Sequence, residues 1–371
     1  MIDTLISSTA WRLAGWTMLH FLWVGGMIGL TLGLIRRALR NASPNLRYSM
    51  ALFGLASLAL APAIIAWNLV SSFPVNPPFP QPETQIFVRS TDLDMRPLAD
   101  PSDGRAVTRL NETVSAHRLL NQPSAGTRSQ EFTTDAWFLE LLASGLPILW
   151  LVGSPTTFLL LGLEFAGAQR LRRRTRLLVH GELFEQFHRL IDDLGIRRTV
   201  RLGTLDRLNG PILIGIARPL IVLPTSALSG WSPDLVEMAL LHELAHIRRH
   251  DNFVNLIQCI IEALLFFHPV VWWASRWARL ERELCCDDLV IARTGQPRRY
   301  AELLAALAIP NLRWSVPLDS KISSAMAAPP IVEQIRHILI CKENDSMRTS
   351  PAFLTLAGIC LIAPAALIAS Q

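Results

Sequence analysis

The chain has 371 residues, half of them hydrophobic, with eleven tryptophans and a formal charge of +5. Composition this apolar excludes an ordinary soluble domain and points to a membrane protein. The positive charge does not argue for direct nucleic-acid binding, because the arginines cluster beside apolar runs, where they anchor and orient spans at an anionic membrane face.

Four segments carry the roughly 20 mostly apolar residues that cross a hydrocarbon core as helix: about 13–35, 48–70, 136–163 and 352–370. The N-terminus lacks a basic region and a small-residue cleavage site, so the first segment reads as an uncleaved span. Arg36, Arg37, Arg40 and Arg47 occupy the link between the first two spans, and Arg170, Arg172, Arg173, Arg174 and Arg176 follow the third. The positive-inside rule places both stretches in the cytoplasm. Residues 71–135 then lie outside. With Pro74, Pro77, Pro78, Pro80 and Pro82 near their start and no sustained periodicity, they read as a mostly disordered extracytoplasmic spacer. His20 and Glu140 fall in or near spans, where ionisable residues invite a functional reading. A helix-contact hydrogen bond for His20 and an interfacial position for Glu140 are the favoured expectations. Cys259, Cys285, Cys286, Cys341 and Cys360 form no disulfide framework and read as reduced thiols. For the adjacent pair, burial as small side chains is favoured over redox or metal chemistry.

Residues 164–348 change character. Gly181–Leu194 has the pattern of an amphipathic helix, and 199–202 and 212–223 are β-like. Within the latter, Pro211–Gly215 and Pro219–Pro224 read as two short strands joined by a turn at Ala217-Arg218. Ser232-Pro233 is an N-cap with proline in the first turn. It starts a helix that carries His242-Glu243-Leu244-Ala245-His246, with Leu235, Ala239 and Leu241 available to the core. Four residues apart on a helix, the two histidines lie on one face about 6 Å apart along the axis, a workable bite for one tetrahedral ion. Glu243 stands beside them as a candidate general base.

A catalytic zinc site needs a third protein ligand. His250 shares the helical face, but a straight helix puts it about 12 Å from His242 and no glycine intervenes to bend the chain back. It is expected to be solvated or lipid-facing. The better candidate is Glu283 in Glu281-Arg282-Glu283-Leu284-Cys285-Cys286-Asp287. Glu283 and Asp287 share a helical face; the first can ligate zinc and the second can hold a ligand histidine by its far nitrogen. Asp251 is open to that orienting role or to ending the helix, and stays outside the core site.

The apolar stretch 253–273 separates the two motifs. A single crossing there would put Glu283 on the opposite side of the membrane from His242 and His246. The stretch is therefore expected to be a hairpin, a re-entrant segment or a core helix at the membrane surface, with His268-Pro269 suited to a kink. His268 is open as a transition-state donor or as the cap of that kink. Tyr300 is a weak candidate for stabilising an oxyanion, with packing the favoured role.

Taken together, these residues resemble the BlaR/MecR-type integral membrane zinc metallopeptidases, the β-lactam sensor-transducers and their relatives. The likeness rests on Pro211-x-x-x-Gly215-x-x-x-Pro219 with Leu223-Pro224, His242-Glu-Leu-Ala-His246-x-x-Arg249-x-Asp251, His268-Pro269-x-x-Trp272 and Glu281-Arg-Glu283-x-x-Cys286-Asp287. His20, Trp23 and Arg47-Tyr48 in the first spans add to it. The resemblance implies a mainly α-helical multi-pass membrane protein with a cytoplasmic α+β gluzincin-like metallopeptidase domain, in the inner (cytoplasmic) membrane, performing regulated proteolysis. His242, His246 and Glu283 would hold one Zn²⁺, with Glu243 as base and Asp287 behind a ligand histidine. In sensor members a penicillin-binding domain follows the last span. Here no Ser-x-x-Lys motif follows residues 352–370, so the signal is expected from a separate sensor, the 71–135 loop, the membrane or a missing segment. Expected partners are the lipid bilayer, a second copy or a separate sensor protein, and a protein substrate: a winged-helix transcriptional repressor or the chain itself. The competing class is a non-enzymatic transducer with a structural zinc domain, which gives no reason for Glu243. A zinc transporter lacks the polar intramembrane residues it would need.

Overall fold

The structure, a computed structural model, describes residues 8–72, 134–206, 208–313 and 330–340. Nearly all of the 71–135 loop, the whole 352–370 span, Cys341 and Cys360 lie outside the described residues. The chain divides into two units, residues 1–71 with 142–371, and residues 72–141. Only the ends of the second are described.

Three helices of the described residues are long and apolar enough to cross a membrane. Helix α1 (Thr9–Ala38) starts at Ser8, whose side chain accepts from the Trp11 amide. Helix α2 (Pro44–Ser72) follows a short link, and α3 (Thr134–Arg174) ends in Arg172, Arg173 and Arg174. Proline sits inside α2 at Pro62 and inside α3 at Pro147 and Pro155, as apolar helices with packed neighbours tolerate. His20 bonds its Nδ1 to the Trp16 carbonyl one turn back in its own helix, 2.8 Å away, and so makes no helix-to-helix bond there.

A four-stranded sheet comes next, in the order β1-β2-β4-β3. It contains β1 (Arg176–Leu178), β2 (Arg201–Leu205), β3 (Ile212–Ile214) and β4 (Leu220–Pro224). β2 and β4 are parallel, with Leu202 opposite Ile221, while β1 and β3 are antiparallel edges. The β3–β4 hairpin matches the reading of 211–224. β2 begins two residues later than expected, and β1 was not anticipated because three residues offer no alternation to detect. Gly215, at φ +98, makes the turn, and a side chain there would meet the Arg218 carbonyl.

Helix α4 (Glu182–Asp193) lays Phe187, Leu190 and Ile191 on the sheet side of the core. The short α5 (Thr225–Gly230) leads to α6 (Pro233–Arg249), the motif helix, which buries Met238, Ala239, Leu241 and Leu244 in the same core. α6 stops at His250, which has φ +61, a left-handed conformation uncommon outside glycine. The chain thus stays helical from His246 to the end of α6 and bends, without a glycine, at His250 itself, from which α7 (Asp251–Leu264) leaves in a new direction.

α7 and α8 (Pro269–Thr294) form a helical hairpin, so the 253–273 stretch turns back on itself. Its inner face is polar. Arg282 donates to Gln258 Oε1 at 3.0 Å and Asn255 Oδ1 at 3.3 Å, and Ser275 and Arg279 both donate to Glu262. The pairing of 255 with 282 and 262 with 275 makes the arms antiparallel. His268 caps α8 by accepting from the Val270 amide. The tip packs where α1 and α3 are thinnest: Gly25 faces the His268 ring, Gly29 faces Val270 and Gly153 faces Phe266. Trp150 Nε1 donates to the Leu264 carbonyl at 2.8 Å, and Thr157 to that of Ala263 at 3.1 Å.

α8 belongs to two cores. Val271, Ala274, Trp277 and Ala278 pack with α1 and α2, whereas Val290 joins the sheet and α6. Helices α9 (Pro297–Arg313) and α10 (Pro330–Ile340) close the second core through Tyr300, Leu303 and Ile338.

Candidate metal centre

Helical spacing on α6 sets the His242 and His246 rings 4.9 Å apart and nearly perpendicular. The hairpin turn brings α8 back beside them. Glu283 Oε2 then lies 3.4 Å from His242 Nε2 and 3.5 Å from His246 Nε2. Ligands about 2.0–2.1 Å from a tetrahedral ion stand about 3.3 Å from one another. Each imidazole nitrogen therefore stands from the carboxylate oxygen at close to the separation a zinc ion requires, and all three donor atoms lie within 4.8 Å of one another. All three side chains remain partly open, between 13% and 27% exposed, so small molecules can reach them.

The far side of each imidazole is occupied, which decides its tautomer. Tyr300 donates its hydroxyl to Asp287 Oδ1 at 2.7 Å and receives His242 Nδ1 at 2.8 Å; Asp287 itself lies 3.2 Å from that nitrogen. His246 Nδ1 donates to Asp251 Oδ2 at 2.9 Å. With Nδ1 held by these partners, Nε2 of each ring is turned to Glu283 and is the nitrogen left to ligate an ion, the arrangement that metal-ligating histidines adopt.

Electrostatics also favour a cation. Burial works against charge on His242, but its bonds to Asp287 and Glu283 outweigh that and hold its pKa well above the ordinary histidine value. His246 is likewise raised despite burial, by Cys286, Asp251 and Glu283. Burial would raise Glu283, yet the two histidines hold it well below the usual carboxylate range. Glu243 behaves oppositely: burial raises it, and the two histidines only partly offset this. A carboxylate of raised basicity beside an open site is suited to accepting a proton.

His246, Asp251 and Cys286 form a second group of donor atoms. The Cys286 sulfur is 3.3 Å from His246 Nδ1 and completely buried. Burial raises its pKa against the pull of His246, which disfavours the thiolate, the form that binds metal. The group containing Glu283 is the better fit.

Asp251 and Tyr300 fall outside their favoured readings, whereas His268 and His250 fall where one of the expected readings put them. Asp251, left outside the site, is buried directly behind His246. No local signal marks it, because the helix break at His250 that swings position 251 back over the previous turn involves no glycine. Tyr300 is neither plain packing nor an oxyanion donor, because its hydroxyl is buried behind His242. His268 caps α8 at the far end from Glu283, its Nε2 facing the Leu22 carbonyl, and makes no approach to the centre. His250 is exposed at the α6–α7 bend and outside both donor groups.

Residues 30–326 match the family described as BlaR1 peptidase M56. The chain belongs to the BlaR1 peptidase M56 family. Among curated relatives, the regulatory protein BlaR1 of Bacillus licheniformis is 25% identical over 201 residues, covering 54% of this chain and 32% of that protein. The methicillin resistance mecR1 protein of Staphylococcus aureus is 24% identical over 115 residues, covering 30% of this chain and 20% of its own length. The chain thus spans about a third or less of the curated relatives it matches. Among solved structures, Ste24p of S. mikatae aligns over 89% of this chain and 99% of its own, with a TM-score of 0.32 and 15% identity, too distant to bear on the fold. Membership in the M56 family and three bilayer-length apolar helices mark the chain as a membrane protein of a metallopeptidase family.

Proposed function

We propose that this chain is a zinc metalloendopeptidase of the gluzincin kind that carries out regulated proteolysis at the cytoplasmic face of the inner membrane. The observation that carries the reading is the convergence of His242 Nε2 and His246 Nε2 on Glu283 Oε2 at 3.4 and 3.5 Å, with Glu243 beside them. His242, His246 and Glu283 would hold the ion, which when bound supplies Lewis-acid polarisation of a scissile carbonyl and acidifies water. Glu243 accepts the proton of the attacking water and returns it to the leaving amine. Asp287 and Tyr300 keep His242 in its ligating tautomer. β3, an antiparallel edge, offers unpaired backbone groups to an extended substrate segment.

The hairpin supports a cytoplasmic centre on a multi-pass chain. Its tip meets Gly25 near the middle of α1 and Gly153 near the middle of α3. If those helices cross, α7 and α8 enter and leave from one side, as a re-entrant hairpin, so α6 and Glu283 share a compartment. Phe253, Ile257, Ile260 and Leu264, exposed along one face of α7, then meet lipid. Arginines at the ends of α1 and α3 and in the α1–α2 link support the cytoplasmic assignment.

Relatives named as regulatory and resistance proteins support a signalling role. We take the substrate to be a winged-helix transcriptional repressor or the chain itself, with a separate sensor or a second copy as candidate partner. The test compares purified wild type with Glu243→Gln for zinc content and cleavage of those substrates. One zinc per chain in both, with cleavage lost only in the variant, is the expected result. Undiminished cleavage by a zinc-loaded variant sinks the mechanism, and a zinc-loaded wild type that cleaves neither substrate favours a non-enzymatic transducer.

A further inference from the structure

Two sequence features take no part in the ligand set, Arg47-Tyr48 at the start of α2 and Arg249-x-Asp251 at the end of α6, and the fold brings them together behind His246. Asp251 is 2% exposed. A buried carboxylate needs a compensating cation or hydrogen bonds. His246 Nδ1 donates to one of its oxygens, and Arg249 Nε lies 3.6 Å from the other. Arg249 is held in turn from α2. Its Nη1 donates to Asn45 Oδ1 at 2.6 Å, and its guanidinium stands 5.1 Å from the centre of the Tyr48 ring, within cation–π range.

The same turn of α2 is fastened to the other ligand-bearing helix. Arg47 Nε donates to Glu281 Oε2 at 2.8 Å, and Glu281 Oε1 accepts from Trp277 Nε1 at 2.9 Å. Arg36, at the end of α1, stacks 5.8 and 5.7 Å from the Trp273 and Trp277 rings. The first turn of α2 therefore grips α6 just after His246 and α8 just before Glu283.

We propose that the first turn of α2 is a positioning element for the metal ligand His246. Asn45 and Tyr48 hold Arg249, Arg249 neutralises Asp251, and Asp251 fixes the His246 tautomer that turns Nε2 towards Glu283. A shift of α2 against α6 would free Arg249 and loosen His246, which couples the membrane helices to the metal centre. The proposal rests on the assignment of that centre given above.

The experiment uses the full chain in lipid nanodiscs. It measures zinc affinity by chelator competition and the visible spectrum of the cobalt-substituted protein, which reports ligand geometry. Tyr48→Leu combined with Asn45→Ala is expected to weaken zinc binding about 10- to 100-fold, the loss usual for partners that orient a ligand, and to alter the cobalt spectrum. Tyr48→Phe keeps the ring and loses only a hydroxyl that has no hydrogen-bond partner among the described residues, so it is expected to bind as wild type does. Leu55→Ala, at a buried α2 position in the helix-packing core, tests general loosening of the pair. Asn45→Ala alone, at an exposed site, gives a smaller loss in the same direction and serves if the double variant does not fold. Wild-type affinity and spectrum in the Tyr48→Leu/Asn45→Ala double variant and in Asn45→Ala overturn the proposal alone, as does an equal loss in Leu55→Ala. A wild type that takes up no metal overturns both the proposal and the centre beneath it.

Discussion

Alanine at Gly25 and at Gly26 separates close packing from helix propensity, because the two glycines are adjacent in α1 and face different surroundings. A Cβ at Gly25 would lie 2.4 Å from His268 Nε2 and 2.7 Å from Cε1, whereas a Cβ at Gly26 meets nothing within 4 Å. Ordinary contact begins near 3.4 Å, so the imidazole would have to withdraw by about 1 Å. It has little room to do so: His268 is 2% exposed, its Nδ1 is engaged by the Val270 amide, and the Phe21 ring lies 4.7 Å away. Overpacking of this kind costs about 1–3 kcal/mol. Replacing glycine by alanine in a helix returns about 1 kcal/mol at either position, so the propensity gain cancels between the two variants. Gly25→Ala is therefore expected to be about 1–3 kcal/mol less stable than Gly26→Ala, a difference of roughly 5- to 150-fold in the unfolding equilibrium. Reversible unfolding in mixed detergent micelles, followed by tryptophan fluorescence, measures the pair. Equal stability, or greater harm at Gly26, would refute the packing of the hairpin tip on α1.

Tyr300→Phe removes the hydroxyl that bridges His242 and Asp287 while keeping the buried ring, so zinc affinity should fall about 10- to 100-fold with the fold intact. Chelator competition reads this, and an unchanged affinity would show that Asp287 alone holds His242. The raised pKa values of His242 and His246 give a pH dependence of known sign. Protonated histidines stabilise the metal-free fold fully below about pH 6.5, the ordinary histidine value, and that contribution is lost as pH rises through their elevated folded values. Zinc bound at the proposed centre would take the place of those protons. The rise in melting temperature on adding zinc should thus grow with pH across that window, and a gain that shrinks would contradict the arrangement of charges.

Some of this was readable from local pattern. His242 and His246 share a face because any α-helix puts residues four apart together, and Ser232-Pro233 marks where that helix begins. The β3–β4 hairpin was legible from two apolar runs bounded by prolines. Other features were not. Asp251 reaches His246 only because His250 adopts a left-handed conformation, which no residue type announces when it is not glycine. Tyr300 reaches His242 because α9 packs on α6 and α8 through the shared core, and nothing within its own segment signals that.

By itself the sequence determined which segments are apolar enough for membrane helices, the order of the two candidate metal-binding motifs, and the donors each helix can offer. These follow from composition and helical period, which act over a few residues. The tertiary structure decided that the apolar stretch between the motifs turns back as a hairpin, that its tip lodges against Gly25 and Gly153, and that the first turn of α2 grips both helices of the candidate centre. Those contacts join positions far apart in the chain, and they depend on the space left by small residues and on pairing of buried charges, so no local pattern carries them.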